Sequence, residues 1–165
     1  MKEKLLFIAQ GFPPMVSMGS IRNYKLANEY TKYFKQVFVI TPQDKQSWPE
    51  DPTMETSQFS LFPVDSLCLH TFLGRFPKSL KFNSNYRHSF FADFFRKVVR
   101  SFPFNLFLNG GGLNYILNGY KMGKSLIEKE NIKFVQTSYP PMTDHVIGWL
   151  LKRKYPHIVL SLIHI

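Results

Sequence analysis

The stretch Leu5-Leu6-Phe7-Ile8-Ala9 holds no polar residue and stops at Gln10-Gly11-Phe12-Pro13-Pro14. An unbroken apolar run closed by turn-forming residues is the pattern of a strand covered on both faces, as in a parallel sheet, rather than of one half in water. Parallel strands need a crossover between them. The next residues supply it: Ser20 can cap a helix in which Ile21, Tyr24, Ala27, Tyr30 and Phe34 recur at three- and four-residue spacing. Gln36-Val37-Phe38-Val39-Ile40-Thr41 then reads as a second strand, ended by Pro42. Strand, helix and strand in direct succession predict a βαβ unit with a right-handed crossover.

The far end of the chain repeats this beginning. Lys133 to Ser138 reads as a strand, Tyr139-Pro140-Pro141 turns it, and Asp144 can cap a helix carrying Val146, Ile147, Leu150 and Leu151. Lys152-Arg153-Lys154 suit the negative end of that helix dipole, Tyr155-Pro156 stops it, and His157-Ile158-Val159 opens a further strand. Between the two ends, residues 43–58 read as a surface connection with Pro49 and Pro52. Residues 59–69 predict a third strand split by Pro63, and residues 89–99 look helical. Asn109-Gly110-Gly111-Gly112 breaks the chain before a helical pattern through Leu113, Ile116, Leu117, Tyr120, Leu126 and Ile127 to about Glu130. The alternation predicts an α/β domain with an open, mostly parallel sheet. Its ligand crevice should lie beyond the carboxyl ends of the strands, and both Pro-Pro loops fall on that rim.

At 165 residues there is room for one ordinary domain with its own core. With 44% hydrophobic and 19% charged residues disorder is a poor reading, and a lone Cys68, expected as a core filler, excludes a disulfide framework. The apolar run after Met1-Lys2-Glu3-Lys4 is shorter than the roughly 7 to 15 residues of a secretory signal. Charge or proline also interrupts every run before the roughly 18 to 20 residues needed to cross a bilayer. A cytoplasmic protein, at most peripheral at the inner face of the membrane, is expected. The 21 Lys+Arg against 11 Asp+Glu leave +10, which predicts an anionic partner without choosing among nucleic acid, phospholipid and phosphorylated small molecules.

The first loop leads from a buried strand to a helix start, where Gly19 and Ser20 can face the phosphates of a donor; the bland alternative is that one permits a turn and the other only caps. Neither the G-x-G-x-x-G dinucleotide fingerprint nor the NTPase phosphate loop is present. Arg22, on the first turns of the helix, can bind phosphate or a sugar hydroxyl, or be a solvated arginine. At the second loop Pro140, Pro141, Asp144 and His145 face the same crevice. A capping Asp beside a packed His is weighed there against an acid–base pair, for which no third relay member is identifiable. The histidines show no metal-ligand spacing, so no metal is assigned. The insertion at about 71–110 interleaves Phe with Arg75, Lys78, Lys81, Arg87, Arg96, Lys97 and Arg100. These cations can face an anionic membrane, or the Phe residues can face the core and the charges water.

The blocks Leu5 to Pro14, Gly19-Ser20-Ile21-Arg22, Lys25-Leu26-Ala27 and Val37 to Pro42 resemble the amino-terminal domain of glycosyltransferase family 4 enzymes of the GT-B fold. Thr137-Ser138-Tyr139-Pro140-Pro141 with His145, Ile147 and Gly148 resembles a later block of that domain. The resemblance implies a Rossmann-like open, mostly parallel sheet with helices on both faces, the amino-terminal half of a GT-B fold. It also implies a missing carboxyl-terminal domain that holds a nucleotide-sugar donor as substrate, with no other cofactor, across from a lipid-linked or glycan acceptor. Met18-Gly19 stands where the family commonly has adjacent glycines. On this reading residues 1–159 are the acceptor-side domain of a sugar-transferring enzyme for cell-envelope polysaccharide, incomplete and inactive alone, with catalytic residues unknown and no nucleic-acid partner. Residues 160–165, Leu160-Ser161-Leu162-Ile163-His164-Ile165, read as a non-native tail resembling a translated library-adapter sequence. Two alternatives are a non-catalytic basic module binding anionic membrane or nucleic acid, and half of a sugar-nucleotide epimerase.

Overall fold

A computed structural model of the chain describes residues 3–43, 51, 54–66 and 111–163. Within them the strands are β1 (Lys4–Ile8), β2 (Gln36–Pro42), β3 (Ser60–Val64), β4 (Phe134–Ser138) and β5 (Val159–Ile163). The helices are α1 (Met18–Tyr33), α2 (Gly112–Glu130) and α3 (Met142–Lys154). All five strands form one sheet in the order β3-β2-β1-β4-β5, with every neighbouring pair parallel. The expected Rossmann-like architecture is therefore present: an open parallel sheet, covered on both faces.

Side-chain alternation sorts the core. Leu6 and Ile8 of β1, Phe38 and Ile40 of β2 and Val135 of β4 point to one face, where they meet Tyr115, Ile116, Leu126 and Ile127 of α2 and Ile147 and Leu151 of α3. Leu5 and Phe7, with Val37 and Val39, point to the other, where Ala27, Tyr24 and Tyr30 of α1 and its C-cap Phe34 cover them together with Phe12 and Phe59. Both faces of the central strands are thus dry, which is what their continuous apolar sequences require. Two glycines let α3 approach closely. A Cβ on Gly148 would lie 2.6 Å from Thr137 Cγ2 of β4, and one on Gly119 of α2 would lie 2.7 Å from Ile147 Cδ1.

Several boundaries differ from the sequence reading, each for a local reason. Pro63 does not split the third strand, because β3 is at the sheet edge and a missing N–H is tolerated there. Leu160 to Ile163 run in register beside β4 as the body of β5, a pairing that bears on their geometry and not on whether they are native. Cys68, the insertion at 71–110 with its seven cations, and the helix expected at 89–99 lie outside the described residues. Among the described residues no helix is long and apolar enough to cross a membrane.

Candidate functional site

The strand order reverses direction between β1 and β4: the chain leaves β1 to one side through α1 and β2, and returns on the other through α2 to β4. The loops after these two neighbouring parallel strands diverge, and the gap between their carboxyl ends is where ligands bind in open α/β sheets. The two proline-marked loops therefore sit side by side, and side chains stitch them together.

Arg22 is the main stitch. Its Nη2 donates to Ser138 Oγ at 2.9 Å and to the Tyr139 carbonyl at 2.8 Å, so a guanidinium from α1 lies against the end of β4. Its Nε is buried without a hydrogen-bond partner among the described residues. Ser138 Oγ in turn donates to Asn23 Oδ1, and Asn23 Nδ2 donates to the Gly11 carbonyl. One chain of bonds thus runs from the second loop through α1 to the first loop. The polar run Gln136-Thr137-Ser138 in an interior strand is the sequence signal for it, since buried polar atoms in a core strand require partners. Asn23, on the same helix stripe as Ala27, is a second signal that the apolar spacing alone passes over.

Ser20 does not cap α1. It is fully buried, and the N-cap of α1 is Ser17, whose Oγ accepts from Ser20 N while Ser20 Oγ accepts from Ser17 N. Both residues are serines three apart, so spacing alone does not tell cap from partner. This reciprocal box uses two of the free donors of the first turn. The N–H groups of Met18 and Gly19 are left without a partner among the described residues, at a helix start that carries no acidic residue. Gly19 itself is half-buried and tolerates a Cβ at ordinary contact distance. Gly11 is the tighter glycine: a Cβ there would lie 3.3 Å from Ser20 N.

The second loop behaves differently. The N-cap of α3 is Pro141, with no side-chain cap, and Pro140 is exposed. Asp144 does not cap; it turns inward and is fully buried, its Oδ2 accepting from Gln10 N at 2.9 Å and its Oδ1 from the Tyr115 hydroxyl at 2.9 Å. Burial pushes its carboxyl up to about 7, against the opposing pull of the Gln10 and Tyr115 donors. The Tyr115 hydroxyl is also pushed well up, by burial first and by Asp144 second. His145 holds Thr137 Oγ1 at 2.7 Å from Nδ1 and stacks on Tyr139, so it braces the loop. The Asp144–His145 pair is bonded to different partners, and an acid–base relay between them is not formed. Among the described residues no group of His, Cys, Asp and Glu could hold a metal ion.

No family model matches the chain, and no curated protein matches it. Among solved structures it is similar to the C-terminal domain of a hydrogenase from Pyrococcus furiosus, with a TM-score of 0.50 and 14% identity over 98% of this chain and 91% of that one. These findings overturn the glycosyltransferase expectation, its enzyme class and its cell-envelope role. A solved structure that shares the architecture is a hydrogenase domain, and no family model, of a glycosyltransferase or otherwise, matches the sequence. Nor does any match support the epimerase half or the non-catalytic module set beside it. The physical reason is that an apolar strand, a proline-marked loop and a helix start, twice over, are what a parallel sheet with two such loops produces whatever it binds. The blocks report architecture, and at this identity the hydrogenase likeness likewise shows the fold alone.

Proposed function

We propose that this domain binds a small anionic ligand, one bearing phosphate or carboxylate, in the crevice between the loops after β1 and β4. The observation that carries the reading is Arg22, held across the crevice by Ser138 and Tyr139 beside a helix start with two unused N–H donors and no acid of its own. A helix N-terminus and an arginine fork together favour a multiply charged oxyanion. Among the described residues the hydroxyl held by an imidazole at the crevice, Thr137 Oγ1 on His145 Nδ1, is fully buried and bonded as a brace, so the reading is of binding, with no reaction assigned to this chain.

Calorimetric titration with inorganic phosphate, pyrophosphate and citrate tests it. The native chain should bind at least one of them, and Arg22→Ala should weaken that binding roughly ten- to hundredfold, the loss of a charge-assisted fork. Arg22→Lys should fall between the two. Equal affinities in all three proteins, or no binding to any, would reject the reading.

A further inference from the structure

The sheet-distant surfaces of α2 and α3 carry large apolar side chains in water. Leu113 and Leu117 on α2 are 46% and 54% exposed, and Met142 and Trp149 on α3 are 50% and 54% exposed. The spacing puts each pair on one row of its helix, four residues apart on α2 and seven on α3. Each row then continues into cations: Lys121 and Lys124 follow Leu117, and Arg153 follows Trp149 with its guanidinium 5.6 Å from the indole centroid. The helices lie directly side by side, as the approach of Gly119 to Ile147 and the bond from Tyr115 to Asp144 show.

Charge on these helices is one-sided. The two acids of α2 are already engaged, Glu128 by the Tyr155 hydroxyl and Glu130 by Lys4. Lys121, Lys124, Arg153 and Lys154 have no acidic partner among the described residues. Half-exposed Leu, Met and Trp beside unpaired Lys and Arg are what an anionic bilayer surface accepts, the indole and aliphatic groups at the acyl boundary and the cations among headgroups. A second copy of the same face would bring like charges together.

We infer that the outer face of α2 and α3 is a docking surface for an anionic lipid bilayer. Because α3 starts at the crevice rim, its apolar row begins there, and docking holds the crevice beside the membrane. The inference is independent of the crevice's ligand.

The test uses the full chain with its other tryptophan, Trp48, replaced by Phe. It is mixed with vesicles of phosphatidylcholine alone or with about one-third phosphatidylserine, and followed by flotation and by Trp149 fluorescence. Expected are binding to the anionic vesicles only, a blue shift of Trp149, and weakening by added salt. Leu117→Ser with Trp149→Ser should lower vesicle partitioning about tenfold or more by flotation, with circular dichroism and Arg22-dependent anion binding unchanged. No binding, or binding that the double variant leaves intact, overturns the inference. So does a vesicle-free dimer that the same variant dissolves, which would assign the face to a second copy.

Discussion

The two proline-marked loops look alike in sequence and are built on opposite principles. After β1, the helix start is closed by serines that bond each other, and the remaining donors of α1 are left over in a first turn that carries no acid. After β4, the helix has no side-chain cap, yet it carries Asp144 in its first turn and sends that carboxyl inward to the first loop and to α2. One loop presents, the other anchors. The difference shows that a polar residue after a Pro-Pro turn does not by itself define a cap: what decides is whether a buried donor waits within reach.

The anchoring role of Asp144 has the largest measurable consequence. A carboxyl raised to about 7 in the folded protein, against about 4 when unfolded, is held neutral by the fold. The unfolded state then binds fewer protons than the folded one between those values, so this group makes stability fall as pH rises from about 4 to about 7 and adds nothing further above that. The span is at most about 4 kcal/mol. Urea unfolding across pH should show that fall in the native chain. In Asp144→Asn, whose amide oxygen still accepts from Gln10 N while its NH2 donates to the Tyr115 oxygen in place of accepting from it, the fall should be absent. Equal pH slopes in the two proteins would mean that the carboxyl is not held neutral.

Asp144→Ala, measured at pH 5 where the native carboxyl is neutral, should cost about 2 to 4 kcal/mol, since it strands the Gln10 N–H and the Tyr115 hydroxyl in the core. Gly148→Ala should cost about 1 to 3 kcal/mol, because its Cβ meets the branched Thr137 side chain on β4. At the presenting loop the effect is smallest: Ser17→Ala should cost about 1 kcal/mol by the same assay. Should Ser17→Ala prove the costlier of the two loop variants, the contrast between anchor and presenter would be reversed.

The strands and their loops were legible because burial on both faces writes itself into the chain as unbroken apolar runs such as Leu5 to Ala9, with no distant residue needed. The site was legible only as a place. Arg22, Pro140, Pro141, Asp144 and His145 do gather at one rim, as the two loops predict. Their bonds were not readable, because each partner is remote: Asp144 meets Tyr115 across 29 positions and Arg22 meets Ser138 across 116. The cap expected at Ser20 lies at Ser17, because the helix starts three residues earlier than the apolar spacing indicates. The chemistry expected from the resemblance failed for a different reason, since the matching blocks encode the sheet and its turns.

The most direct test of the crevice is to follow backbone amide resonances while pyrophosphate is added. The account predicts large shifts at Met18 and Gly19, at the start of α1, with little change at Met142 and Thr143, at the start of α3, and loss of the response in Arg22→Ala. Shifts concentrated at α3, or a response that Arg22→Ala leaves untouched, would contradict it.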